Sequence, residues 1–260
     1  MCDEPQVRLD EFFNHLISGR RRDAAGIIGA ALSSGASSAE VIAELCWPAL
    51  EQIHSLRRHD RISEIAHQYA TRLLQQLIAR LPLTPPQTSA ETPVLIVTGM
   101  EPTEELGGQM VATLLENRGY GVYFAGGIGI GGVPQGQIVS QVAQIAAREL
   151  VIFACVPQTV PTARLLISRL HEDGAWPQVQ VVLGGVVFNR SESMAEVLGG
   201  DLWAADPMGV ARMIESYPER RVSTHHRSAG DVERAIHPPQ PQRPAAPPTE
   251  PQREHGHGTG

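Results

Sequence analysis

The sequence is short of several things, and each shortage removes a class of function. Only three cysteines, Cys2, Cys46 and Cys155, occur in 260 residues. They are unpaired in number and lack metal-type spacing, so neither a disulfide framework nor a zinc site is expected, and a reducing cytoplasm suits the chain best. No apolar run approaches the roughly 18 residues needed to span a bilayer. The N-terminus opens on acidic and polar residues instead of a charged and then apolar leader. Membrane anchoring and secretion are therefore not expected. Positive charge is also scarce: the formal net charge is −7, which argues against a broad basic surface for nucleic acid, and Arg20-Arg21-Arg22 and Arg57-Arg58 read as solvated helix ends. No Ser-His-Asp, Cys-His or paired-carboxylate constellation points to an independent enzyme, and Cys155 reads as a small buried residue before a nucleophile.

What is present is a chain with 42% hydrophobic residues, enough to bury a core in one or two domains with a tail. From Val7 to Leu81 the apolar residues recur at helical spacing. Gly19, Gly35, Pro48 and the Arg58-His59-Asp60-Arg61 turn divide this stretch into about four helices, so residues 1–81 are expected to form a helical bundle. Ser37-Ser38-Ala39-Glu40 offers a serine cap with an acid in the first turn, and Pro48 should start or kink a helix. Residues 82–93, rich in Pro, Thr, Ser and Gln, read as a linker.

Beyond the linker, Val94–Val97, Gly121–Phe124, Leu150–Phe153 and Val179–Leu183 are apolar runs separated by amphipathic helices near 107–118, 134–148 and 161–173. A last unit supplies a helix (Glu192–Gly199), a short strand (Asp201–Ala204) and a closing helix (Pro207–Ser216). Such alternation predicts an α/β domain over 94–217, a flavodoxin-like, doubly wound, five-stranded parallel sheet. Residues 218–260 turn to Pro, Gln, Arg, His and Gly and are expected to be disordered.

In a doubly wound sheet ligands sit at the carboxyl ends of the strands. The first such loop, Thr98-Gly-Met-Glu-Pro-Thr-Glu-Glu-Leu-Gly-Gly108, sets Gly107 and Gly108 at a helix start where a bulky cofactor could approach the backbone; an ordinary glycine-containing helix entry is the other reading. The second, Ala125-Gly-Gly-Ile-Gly-Ile-Gly-Gly-Val-Pro134, has five glycines, Gly129 and Gly131 among them, whose amides could cradle a phosphate or a macrocycle edge. It lacks the dinucleotide-binding fingerprint, and a flexible connection explains it equally well. At the fourth strand, Gly184 and Gly185 either leave a slot for something flat or shape a tight turn.

Together these features resemble the cobalamin-binding module with a helical cap, over roughly residues 7–216. Val133-Pro134 repeats the Val-Pro entry to that family's next helix, Gly184-Gly185 matches the paired glycines where the nucleotide tail enters, and Gly199-Gly200-Asp201 resembles its late Gly-Ala-Asp. The run Ala49 to Ser63 takes the place of the cap's Pro-Ala-Leu…Gly-x-Ile-Ser segment. The family's cobalt-ligating Asp-x-His-x-x-Gly reads here Pro102, Thr103, Glu104, Glu105, Leu106, Gly107: the glycine stays, and the Asp and His are lost. The tryptophan over the corrin in light-sensing members falls at Arg57, and their following Glu-His pair at His67-Gln68.

What the resemblance implies is a corrinoid bound base-on or through a histidine from elsewhere. Glu104 stands in the ligand place, but a carboxylate is a poorer partner for cobalt than imidazole, and a solvated Glu is the alternative. The candidate metal ligands are His67 ahead of His54, both in the cap. His15, His59 and His171 read as exposed helix-end residues, and His225, His226, His255 and His257 lie in the tail. The candidate cofactor contacts are Glu104, Gly107, Gly108, Gly129, Gly131, Val133, Pro134, Cys155, Gly184 and Gly185. The leading function is a non-catalytic sensor or regulatory module that binds cobalamin, or haem in its place, and acts through a protein partner, with homo-oligomerisation a further option. The alternatives are the corrinoid carrier subunit of a methyltransferase and a cofactor-free interaction module.

Overall fold

The computed structural model describes residues 4–86, 92–172, 179–189 and 194–221. Most of the expected linker's centre (87–91) and the tail from residue 222 onward lie outside the described residues.

The N-terminal segment folds as helices α1 (Glu4–Ile17), α2 (Arg21–Ser33), α3 (Ser38–Val41), α4 (Trp47–Arg58) and α5 (Glu64–Ile78). A π-helical turn, Ile42–Cys46, joins α3 to α4, so Pro48 does not divide the bundle: one continuous helix runs through it. Proline lacks an N–H and crowds the carbonyl a turn earlier, and a widened turn at that point accommodates both defects. Ser37 caps α3 reciprocally, its Oγ accepting from Glu40 N at 3.2 Å while its own N donates to Glu40 Oε2 at 2.7 Å. Arg57 and Glu64, 2.7 Å apart, tie the end of α4 to the start of α5.

The second segment is an all-parallel sheet in the order β2-β1-β3-β4-β5, formed by β1 (Thr92–Thr98), β2 (Tyr120–Gly127), β3 (Glu149–Phe153), β4 (Gln180–Gly184) and β5 (Leu202–Ala204). The intervening helices are α6 (Pro102–Glu116), α7 (Gln135–Gln144), α8 (Val160–Glu172), α9 (Met194–Leu198) and α10 (Pro207–Ser216). Period-two alternation sorts the strands: Val94, Ile96, Val151, Phe153 and Val182 face α6 and α10, whereas Leu95, Val97, Leu150, Ile152 and Leu183 face α7, α8 and α9.

Several boundaries differ from the sequence reading, the 134–148 helix ending at Gln144 and β1 beginning inside the expected linker at Thr92, and two of them bear on the site. Helix α6 starts at Pro102, five residues before the expected 107, because Glu101 N finds the Glu104 carboxylate at 3.1 Å and proline is well suited to a first helical position. Strand β2 runs on to Gly127, past a register shift opposite Ile96 and Val97, so the first glycines of its loop belong to the sheet.

The cap and the α6 face share one hydrophobic core. It extends from Leu9, Phe12, Leu50 and Leu74 in the cap to Leu106, Met110, Ile96 and Phe153 below. Gln75 Nε2 donates to Glu105 Oε1 at 3.4 Å, and Ser38 Oγ to Pro82 O at 2.7 Å. This packing holds α4 over the carboxyl edge of the sheet.

Candidate functional site

Helix α4 presents Trp47, Leu50, Glu51, His54, Ser55 and Arg58 on one face, at steps of three and four residues. Across from them stand Thr103 from α6, Cys155 after β3 and Val186 after β4. Between the two walls lies an open cavity of about 590 Å³, within the size range of small-molecule sites. Trp47, Leu50, Thr103 and Cys155 are buried and form its inner wall; Glu51, Ser55, Arg58 and Val186 are exposed at its mouth. It sits beside the β1/β3 crossover, where strand order reverses and doubly wound folds place ligands.

Glu104 is not the solvated residue that its place in the sequence allowed. It is fully buried, and its Oε1 accepts from Cys155 N at 2.9 Å, Val156 N at 3.2 Å and Thr159 Oγ1 at 2.9 Å. Its Oε2 accepts from Glu101 N. The carboxylate thus clamps the start of α6 to the loop after β3 and does not line the cavity. Gly99 makes room for it, since a Cβ there would collide with Glu104 Oε2.

The paired glycines are packing sites. A Cβ on Gly107 would lie 2.1 Å from Phe153 Cε1, and one on Gly108 would lie 2.4 Å from Thr98 Cγ2, so both let α6 settle directly onto the sheet. A Cβ on Gly184 would meet Phe153 Cδ2 at 2.6 Å and Val210 Cγ2 at 2.9 Å. The slot expected at Gly184 is therefore filled by Phe153. Gly185 has φ +103°, and a side chain there would strike Ala154 O at 2.0 Å, as the tight-turn reading requires.

The glycine loop after β2 closes on itself. Val133 bridges to Ile128, Val133 N donates to Gly127 O at 2.9 Å, and Gly132 N donates to Gly129 O at 3.2 Å. Gly131 and Val133, with Gly99, Met100 and Glu105, line a second, shallower cavity of about 330 Å³. Gly129 leans on Met100, and Pro134 precedes α7 as its N-cap residue.

The two cap histidines part company. His54 lines the main cavity, and burial, with Arg58 beside it, holds its pKa below the ordinary histidine value. Its imidazole is neutral at pH 7. His67 is buried on α5, is not part of that lining, and its Nδ1 has no hydrogen-bond partner among the described residues; burial and then Arg57 lower its pKa as well. Burial pushes the Cys155 thiol up to about 12, leaving it protonated. Among the described residues no group of three or more His, Cys, Asp and Glu could hold a metal ion, and no helix is long and apolar enough to cross a membrane.

A cobalamin can be tested against these residues from both sides. On the sheet side they do not fit: Pro102 and Glu104 replace the Asp and His, the buried Glu104 carboxylate is held by four donors, and Phe153 occupies the space between Gly107 and Gly184. On the cap side they fit a flat macrocycle, with an apolar wall and one neutral imidazole.

A helical cap over the carboxyl edge of a five-stranded parallel sheet is the cobalamin-binding type of fold. The monomethylamine corrinoid protein of Methanosarcina barkeri has it, with a TM-score of 0.60 and 17% identity over 80% of this chain and 96% of that one. A cobalamin-binding protein from Desulfitobacterium hafniense DCB-2 gives 0.43 and 14%, over 80% and 98% of the two chains. The methanol:cobalamin methyltransferase complex MtaBC from Methanosarcina barkeri gives 0.43 and 14%, over 84% and 82%. No family model and no curated protein matches the sequence.

Trp47, Leu50, Glu51, Arg58, Thr103, Phe153 and Val186 were not among the expected site residues. For the α4 members the signal was available as the three-and-four spacing around His54. For Phe153 there was none, since its role depends on glycines in two other elements.

Proposed function

We propose that this chain binds a corrinoid or related tetrapyrrole in the cavity beneath α4 and serves as a regulatory module that reports the bound state to a protein partner. The observation that supports this reading is the cavity itself: Trp47, Leu50 and His54 line it from α4, Cys155 stands across from them, and Arg58 and Glu51 lie at the mouth. Apolar walls with a few convergent polar groups suit a large flat ring, and a neutral imidazole is a good donor to cobalt or haem iron. The bound metallated ring would supply the redox or light-responsive centre; His54 would hold or orient it, and Arg58 would meet a peripheral carboxylate or amide. Cys155, kept as a thiol by burial, packs against the ligand without reacting.

The fold of the cobalamin type supports the ligand class. A regulatory role is preferred to that of a methyl carrier because the place of the cobalt-ligating histidine is taken by Glu104, a buried clamp. The filled space at Phe153 favours a second reading, an interaction module without cofactor. Visible absorption titrations of the purified protein with hydroxocobalamin, adenosylcobalamin and haemin separate the two. A saturable band shift with one of them, and a change in oligomeric state or partner affinity on binding, are expected. Free-ligand spectra in all three titrations would leave the interaction module.

A further inference from the structure

We infer that Phe153 makes this site selective for a macrocycle that carries no nucleotide tail, so that the chain discriminates between two corrinoids with the same ring. The inference rests on the cavity being the ligand site, and it concerns what the sheet beneath that cavity rejects.

Phe153 ends β3 and is fully buried. Its ring is gripped from two sides: Cε1 lies 2.1 Å from where a Gly107 Cβ would stand, and Cδ2 lies 2.6 Å from where a Gly184 Cβ would stand. Neither α6 nor β4 thus offers side-chain space next to the ring, and Val210 closes the α10 side of Gly184. Above it, Trp47 meets Phe153 edge to face, with ring centroids 6.1 Å apart and planes at 90°. Trp47 is also part of the cavity wall. The two aromatic rings form a plug that separates the cavity from the interior between α6 and β4, and close packing leaves the Phe153 ring no vacant volume into which to turn.

The polar groups that could greet a descending phosphate or ribose are committed as well. The amides of Cys155 and Val156 and the hydroxyl of Thr159 all donate to Glu104 Oε1. A tail entering here would have to displace an aromatic side chain and break a buried carboxylate's hydrogen bonds together. A flat ring seated in the cavity beside Trp47 and His54 needs neither change. The ligand class is therefore a tetrapyrrole with small substituents on its sheet-facing side, such as a tail-less corrinoid.

Cobinamide and cobalamin share the corrin ring and cobalt and differ in the nucleotide loop, so they isolate this variable. Titration of the parent protein with diaquacobinamide and hydroxocobalamin should give at least tenfold tighter binding of cobinamide. Phe153→Ala, with Phe153→Leu as the milder variant and circular dichroism as the check on folding, should raise cobalamin affinity and bring the ratio to within about threefold. Equal affinities in the parent, or tighter binding of cobalamin, would overturn the selectivity while leaving the cavity reading intact. Binding of neither corrinoid by the parent or by either folded variant would overturn both. The parent's ratio decides the matter even if neither variant folds.

Discussion

Glu149 and Gln180 are register partners at the starts of β3 and β4, and each keeps one buried side-chain oxygen that has no hydrogen-bond partner among the described residues. Gln180 Nε2 is engaged with Tyr217 O at 2.8 Å and Arg220 O at 2.9 Å, holding the end of α10 to the sheet. Its Oε1 and the Glu149 carboxylate thus lie on the same face of the sheet at neighbouring register positions, both as acceptors. A proton on Glu149 relieves the mismatch, and burial pushes this group's pKa up to about 7 against the pull of Arg148 and Arg221.

That shift fixes the sign of a stability profile. The folded pKa is above the unfolded value, so the native state holds this proton more tightly, and the contribution is complete below about pH 4.5 and lost as pH rises through about 7. The loss is on the order of 2–3 kcal/mol for a shift of this size. The unfolding free energy of the parent protein, read from urea titrations, should fall between pH 5 and 8 by this amount more than that of Glu149→Gln, whose neutral amide removes the charge. Parallel profiles for the two proteins would show that Glu149 does not titrate in this range.

Glu104→Ala strips the acceptor from three amides and one hydroxyl. Hydrogen bonds to a charged group are each worth about 1.5–3 kcal/mol, and the losses overlap, so a destabilisation of about 3–5 kcal/mol is expected. Glu104→Gln retains an acceptor oxygen and should cost less. Equilibrium urea unfolding with an unchanged m-value measures both.

Gly107→Ala and Gly184→Ala press on the same ring from opposite sides. Each should cost about 1–3 kcal/mol, as overpacking of a closed core does. Combining either with Phe153→Leu should recover part of that cost, because the shorter side chain frees the contested volume. Strict additivity in the double-mutant cycle would mean that the glycines do not meet through Phe153.

Cys46 and Cys155 are buried, and burial pushes both thiols up to about 12. Iodoacetamide at pH 8 should alkylate both far more slowly in the native protein than in urea, as followed by peptide mass spectrometry. A ligand seated in the cavity should slow Cys155 further and leave Cys46 unchanged, because only Cys155 lines that cavity.

For the proposed ligand, His54→Ala should shift the visible bands of the bound macrocycle more than His67→Ala does, the reverse of the order expected from the sequence. Because burial keeps His54 neutral at pH 7, binding should weaken only as pH drops below the ordinary histidine range, where protonation competes with the metal. A band position indifferent to His54 would remove it as a donor to the metal.

Much of the architecture was legible in the chain because its signals are local. Strand runs such as Leu150–Phe153, the Ser37–Glu40 cap and the closing helix Pro207–Ser216 are each written within about ten residues, in periodicity and end-capping chemistry. The sheet order and the cap over its carboxyl edge follow from how such units pack. The interior of the site was decided elsewhere. Glu104 looked solvated because its partners Cys155, Val156 and Thr159 are 51 to 55 residues away. Gly107 and Gly184 announced that no side chain stood at two positions, and only the folded chain showed that one phenyl ring from β3 fills the space at both. A sequence records which volumes its own residues leave empty; which distant side chain enters them is fixed by tertiary packing.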